Sequence, residues 1–206
     1  KELLKETDEF LTLSNRAVMF FNAHLRELKY CGIAVAVIVV GYLAVYGYMR
    51  HINKSGQEIY NMAYDTLTDR LDPDVTIEKL KKAEELFERV IDEYGMSKAA
   101  RLALPQVGHV KFAEKNYDDA ILYYDKFASE VSGDKEYETL TSLALAGCYE
   151  AKGDVKKASA LLSSIVDAPD NLFRETAMLS LERVYRMDNQ PEKANGILKK
   201  FVQEYK

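Results

Sequence analysis

Residues 142–165, SLALAGCYEAKGDVKKASALLSSI, carry the reading that decides the fold. An apolar stretch with helical spacing runs to Tyr149, Gly153-Asp154 break it, and Ala158, Leu162 and Ile165 follow at +4 and +7. The same arrangement stands on either side. Upstream, LPQVGHVKFAEKNYDDAILYYDKF (104–127) breaks at Lys115-Asn116 and continues with Ala120, Tyr124 and Phe127. Downstream, MLSLERVYRMDNQPEKANGILKKF (178–201) breaks at Asn189-Gln190-Pro191 and continues with Ala194, Leu198 and Phe201. Ala83, Phe87 and Val90 make a fourth set, and the four alanines are 37, 38 and 36 residues apart. A period in the thirties marks stacked supersecondary units. The residue types follow from helix packing: a small side chain lets two antiparallel helices approach, and larger ones at i+4 and i+7 fill the seam on one face. Gly or Asn ends one helix and Pro opens the next. Such a hairpin hides its apolar side only against a neighbour, so three or more form the stable unit. The expected class is all-α.

The pattern resembles the tetratricopeptide repeat (TPR) family. Leu104, Val107, Gly108, Tyr117, Ala120, Ile121 and Tyr124 match it in the first segment; Leu145, Tyr149, Gly153, Ala158 and Leu162 in the second; Leu181, Tyr185 and Ala194 in the third. The departures are Glu182 at a usually small position, Pro105 inside a helix, no Trp, and spacings beyond the family's usual period. The resemblance covers residues 76–206, with a degraded opening hairpin from about residue 56 that Asp72-Pro73-Asp74 breaks. It implies an α-solenoid of antiparallel hairpins whose first helices line a concave face. By alignment that face would expose Leu102, His109, Phe112, Leu143, Glu150, Leu179, Arg183 and Arg186, a mixed apolar and charged surface suited to a helix or an extended peptide. The Lys and Asn set that grips a terminal carboxylate in some relatives is not evident.

Outward from the repeats, Tyr30 to Met49 reads YCGIAVAVIVVGYLAVYGYM without a charged side chain, between Lys29 and Arg50. Twenty helical residues span about 30 Å, the thickness of a bilayer's hydrocarbon. Tyr30 at one end and Tyr46 and Tyr48 at the other suit the interfaces. A buried core helix is the alternative; a cleaved signal is disfavoured by the charged residues preceding the run. Gly32, Ala36, Gly41 and Gly47 would admit a close helix but form no strict GxxxG pair. Arg16, Arg26 and Lys29 outnumber Arg50 and Lys54 nearby, which puts the N-terminus in the cytoplasm.

Residues 7–29 read as an amphipathic helix capped by Thr7 or Asp8, with Phe10, Leu13, Ala17, Phe20, Phe21 and Leu28 on one stripe. It would lie in the membrane interface, on a partner, or against the chain's own membrane helix. The expected organisation is therefore a tail (1–29), a transmembrane helix (30–49), a linker or degenerate first hairpin helix (50–75) and the repeat domain (76–206). The chain starts at Lys1 without an initiator Met, so a few native residues are expected before it. This layout is similar to that of the bacterial inner-membrane proteins of the YfgM type, ancillary partners of the Sec translocon and of periplasmic chaperones. That resemblance implies a bacterial inner-membrane location, with the repeats in the periplasm.

Chemistry is hard to find. With 28 Lys and Arg against 33 Asp and Glu, the net charge of -5 disfavours nucleic acid. Cys31 and Cys148 make neither a disulfide framework nor a zinc site. His24, His51 and His109 sit at no ligand spacing, and HExxH, GxSxG, GxGxxG and phosphate-binding loops are missing from the sequence. Acidic pairs such as Asp118-Asp119 and Glu84-Glu85 stand beside Lys and Arg, as on a solvated face. The expectation is a membrane-tethered protein–protein interaction scaffold with no catalytic residues, metal, cofactor or small-molecule substrate. The alternative is a structural accessory subunit of a larger membrane complex.

Overall fold

A computed structural model describes residues 15–16, 18–68, 76–168 and 171–205. The expectations placed on Thr7, Asp8, Phe10, Leu13, Ala17 and Asp72-Pro73-Asp74 lie outside the described residues. The helices are α1 (Leu25–Leu67), α2 (Ile77–Glu93), α3 (Lys98–Ala113), α4 (Tyr117–Glu130), α5 (Lys135–Ala151), α6 (Val155–Asp167), α7 (Arg174–Met187) and α8 (Pro191–Glu204). By contacts the chain forms two units, one ending at His51 and one starting at Ile52.

In the first unit, residues 18–23 are helical and precede the start of α1. Phe20 and Phe21 are exposed, and the Phe20 ring stacks on His24 at 4.6 Å. Helix α1 is long and apolar enough to cross a membrane by length and composition, and its most apolar window is wholly unburied. It does not stop at Met49. Residues 50–67 are helical and continue α1.

In the second unit, α3 pairs with α4, α5 with α6 and α7 with α8, and Tyr60 and Ala63 of α1 pack on Phe87 of α2. The turns explain the break residues. Lys115, Gly153 and Asn189, equivalent in the three repeats, all have left-handed backbones (φ 62°, 80° and 55°). In each, two amide groups turn back onto the helix just ended: Lys115 N to Phe112 O and Asn116 N to Lys111 O, Gly153 N to Glu150 O and Asp154 N to Tyr149 O, Asn189 N to Arg186 O and Gln190 N to Tyr185 O. These bonds satisfy carbonyls that the helix end leaves open. The next helix is then capped by the Asn116 or Asp154 side chain, while Pro191 opens α8 at its first turn.

The seam residues form the core. Ala83, Phe87 and Val90, then Ala120, Tyr124 and Phe127, then Ala158, Leu162 and Ile165 are all buried. In the last hairpin Ala194 is buried, whereas Leu198 and Phe201 are only half-buried, because no described helix follows α8 to cover them. Close approach needs small residues at two places. A Cβ on Gly108 would stand 3.0 Å from the Tyr124 ring, and one on Gly56 would stand 2.9 Å from Ser97 Oγ. Gly56 thus lets α1 approach the turn before α3, where Asn53 Oδ1 also accepts from Lys98 N (2.9 Å). Polar ties run between hairpins as well: Glu84 with Lys111, Asp118 with Lys152, and Tyr123 OH donating to Glu88 at 2.9 Å.

Candidate protein-binding groove

The first helices of successive hairpins lie side by side, and between them is a concavity of about 460 Å3. Tyr60 of α1 closes one side, and Leu102, Pro105, Gln106 and His109 of α3 make the next. Tyr137, Leu140, Thr141 and Ala144 of α5 face them, with Tyr124 and Phe127 of α4 between. The spacing of Leu102, Pro105, Gln106 and His109 is that of one helical face. The lining contains no Lys, Arg, Asp or Glu.

Local bonding fixes several of these groups. Gln106 hydrogen-bonds Tyr60, whose phenol is pushed above its usual pKa by burial first and by neighbouring Tyr64 second. Thr141 Oγ1 donates to Tyr137 O at 2.7 Å. The Phe127 and Tyr137 rings meet edge to face at 5.6 Å, and Tyr60 meets Phe87 the same way at 5.3 Å. Burial also raises the Tyr124 phenol, and Tyr124 fills the gap left by Gly108.

The eight residues expected at the groove separate into three groups. Leu102 and His109 line the concavity. Phe112 and Leu143 are half-buried and used in packing. Phe112 meets Tyr117 at 5.4 Å and joins the cluster of Ala120, Tyr124, Leu145 and Cys148, and Leu143 packs on the cluster around Leu162 and Leu181. Glu150, Arg183 and Arg186 are paired within the protein, and Leu179 is exposed beside them on α7. Arg183 donates to Glu150 through Nε (2.5 Å) and Nη2 (2.8 Å), a two-pronged bond that raises the guanidinium pKa. Arg186 is held by Glu182, one turn back on its own helix.

Sequence reasoning missed Tyr60, Pro105, Gln106, Tyr137, Leu140, Thr141 and Ala144. Pro105 reads as a flaw in the repeat, yet it faces the concavity. The signal that could have found part of the set is Leu140 and Ala144, four apart on α5 and level with Leu102 and Gln106 in the alignment of first helices. Among the described residues, no group of three or more His, Cys, Asp or Glu is placed to hold a metal ion.

Among solved structures, the chain is similar to TPR-like repeats of Podosopora anserina. The nearly identical TPR-like repeats of a kinesin light chain candidate superpose with a TM-score of 0.58 at 16% identity, over 75% of this chain and 76% of that one. A single-residue variant of the same repeats gives 0.57 at 16% identity, over 74% and 75%. No protein-family model matches the chain, and no curated protein matches it. The shared architecture makes the repeat region a TPR-like α-solenoid.

Proposed function

We propose that this chain is a non-catalytic scaffold, held to a membrane by residues 30–49, that captures a polypeptide in the groove between its first helices. The observation that carries the reading is the uncharged concavity built by α1, α3, α4 and α5. Its volume falls in the range of ligand sites, about 300–1,000 Å3, and it opens to solvent, as capture of a peptide requires. The wholly unburied apolar window of α1 supports the anchor. A tether would concentrate the groove near partners at the same membrane.

The excess of Lys and Arg before the apolar run supports a cytoplasmic N-terminus and repeats on the other side. The resemblance in layout to YfgM-type proteins supports a bacterial inner membrane and partners among translocon or chaperone components. A phosphatase fused after residue 206 should be active if the repeats lie outside the cytoplasm; an inactive fusion of full stability reverses the orientation.

Site-specific photocrosslinking tests the groove. A benzoylphenylalanine at His109 should trap protein partners in intact membranes, and one at Lys156, exposed on α6, should not. Equal trapping at both positions, or none at His109, defeats the proposal.

A further inference from the structure

The groove also indicates the chemistry of what it takes, an inference that rests on the reading above. We infer that its occupant is a polypeptide segment anchored by an uncharged aromatic side chain, with no charge on the flanking turn. The charges further along the concave face are already matched within the chain. Glu150 and Arg183 satisfy each other, and Arg186 is held by Glu182. The concavity itself presents Tyr60, Leu102, Pro105, Tyr137 and Leu140 without a Lys, Arg, Asp or Glu. A charged anchor would lose its water there and gain no counter-charge. An acidic peptide tail of the sort a cluster of free cations would hold therefore finds no partner in this lining.

An aromatic anchor fits for a second reason. The lining holds one edge-to-face pair, Phe127 with Tyr137, and Tyr60 meets the buried Phe87 of α2 behind it the same way. A further ring between Tyr60 and Tyr137 would extend that arrangement, which aromatic rings prefer over a face-to-face sandwich. Leu102, half-buried, and Leu140, exposed, supply aliphatic walls that lose water when the ring enters.

The test uses the full chain in nanodiscs and three labelled, end-blocked peptides that share a neutral helical frame and differ at one central residue: Phe, Lys or Glu. Fluorescence anisotropy should show the Phe peptide binding at least about tenfold more tightly than the other two. Leu140→Glu, at an exposed position, should weaken the Phe peptide about tenfold and narrow its advantage over the Lys peptide, while Leu122→Glu, exposed on α4 away from the concavity, should leave both unchanged. Leu140→Gln is the milder variant should circular dichroism show Leu140→Glu to be misfolded, with a weakening of about threefold expected. Lys or Glu peptides binding as tightly as Phe overturn the inference, as does a Phe peptide indifferent to residue 140. If His109 still crosslinks proteins in membranes under those outcomes, the scaffold reading stands and only the anchor's chemistry falls; if crosslinking is also lost, both fall.

Discussion

Leu162 and Leu198 hold the same position in two consecutive repeats, four residues after Ala158 and Ala194, yet the structure gives them different surroundings. Leu162 is 1% exposed between α6 and α7, packed with Ala146, Ile165, Met178 and Leu181. Leu198 is half-buried on α8, with no described helix beyond it. Truncating a fully buried leucine loses the transfer free energy of its side chain and leaves a cavity, together about 2–5 kcal/mol. At Leu198 the part facing solvent contributes little and the gap opens to water, so Leu198→Ala should cost about 1 kcal/mol, part of a transfer term of about 1.5–3 kcal/mol for full burial. The two substitutions remove the same atoms, so intrinsic helix propensity cancels, and the expected difference is about 2 kcal/mol. Urea unfolding of the chain in nanodiscs, followed by far-ultraviolet circular dichroism, measures it; the membrane helix adds a constant signal. Tyrosine emission is the second probe, since the chain has no Trp. Equal losses, or a larger loss for Leu198→Ala, would refute the stacking order and the claim that α8 ends the described array.

Lys115 adopts φ 62°, where a side chain costs energy that glycine avoids, so Lys115→Gly should stabilise the chain by about 0.5–1 kcal/mol in the same urea experiment. Glu150 and Arg183 should show a coupling of about 0.5–1 kcal/mol in a double-mutant cycle to Ala, modest because the Arg183 side chain is 59% exposed. Burial raises the Cys148 thiol from 9.0 to about 11, so the unfolded chain releases that proton first; its share of stability is complete below pH 9 and is lost as pH climbs towards 11. Cys148→Ala should therefore lose less stability than the parent over that window, and the native thiol should react with maleimide only as fast as the hairpins open.

The repeats were legible because their physics is local. A small residue followed by large ones at +4 and +7 marks a seam wherever it occurs, and three equivalent breaks at Lys115, Gly153 and Asn189 marked the turns. All three are left-handed with the same pair of amide bonds, although only one is glycine. The opening hairpin was harder to read. Residues 50–67 carry no strong seam pattern, and the contribution of Gly56 depends on Ser97 and Tyr94 approaching from beyond the end of α2. Its neighbour on the same helix, Ala63, is fully buried, yet nothing in the sequence separates it from any exposed helical alanine.

The lining of the concavity was legible only where helical register alone decides. Leu102 and His109 follow from the face of α3, whereas Tyr60 needed the opening helix to be known and Leu140 needed the start of α5. The charged residues of the expected set are paired within the chain for a physical reason. Glu150 and Arg183 lie 33 residues apart, against the 36 that separate equivalent positions of these two repeats, so they stand about one helical turn out of register on adjacent first helices and meet. A repeat array that places opposite charges within a turn of one another on adjacent first helices neutralises them between neighbours. Charge on the concave face of such an array is free for a partner only where adjacent repeats carry the same sign or none. Here the α5–α7 step carries opposite signs, and the α1–α3–α5 step carries none in its lining. Binding energy along this face must therefore come from apolar contact at the second step, and salt should weaken capture at the groove very little.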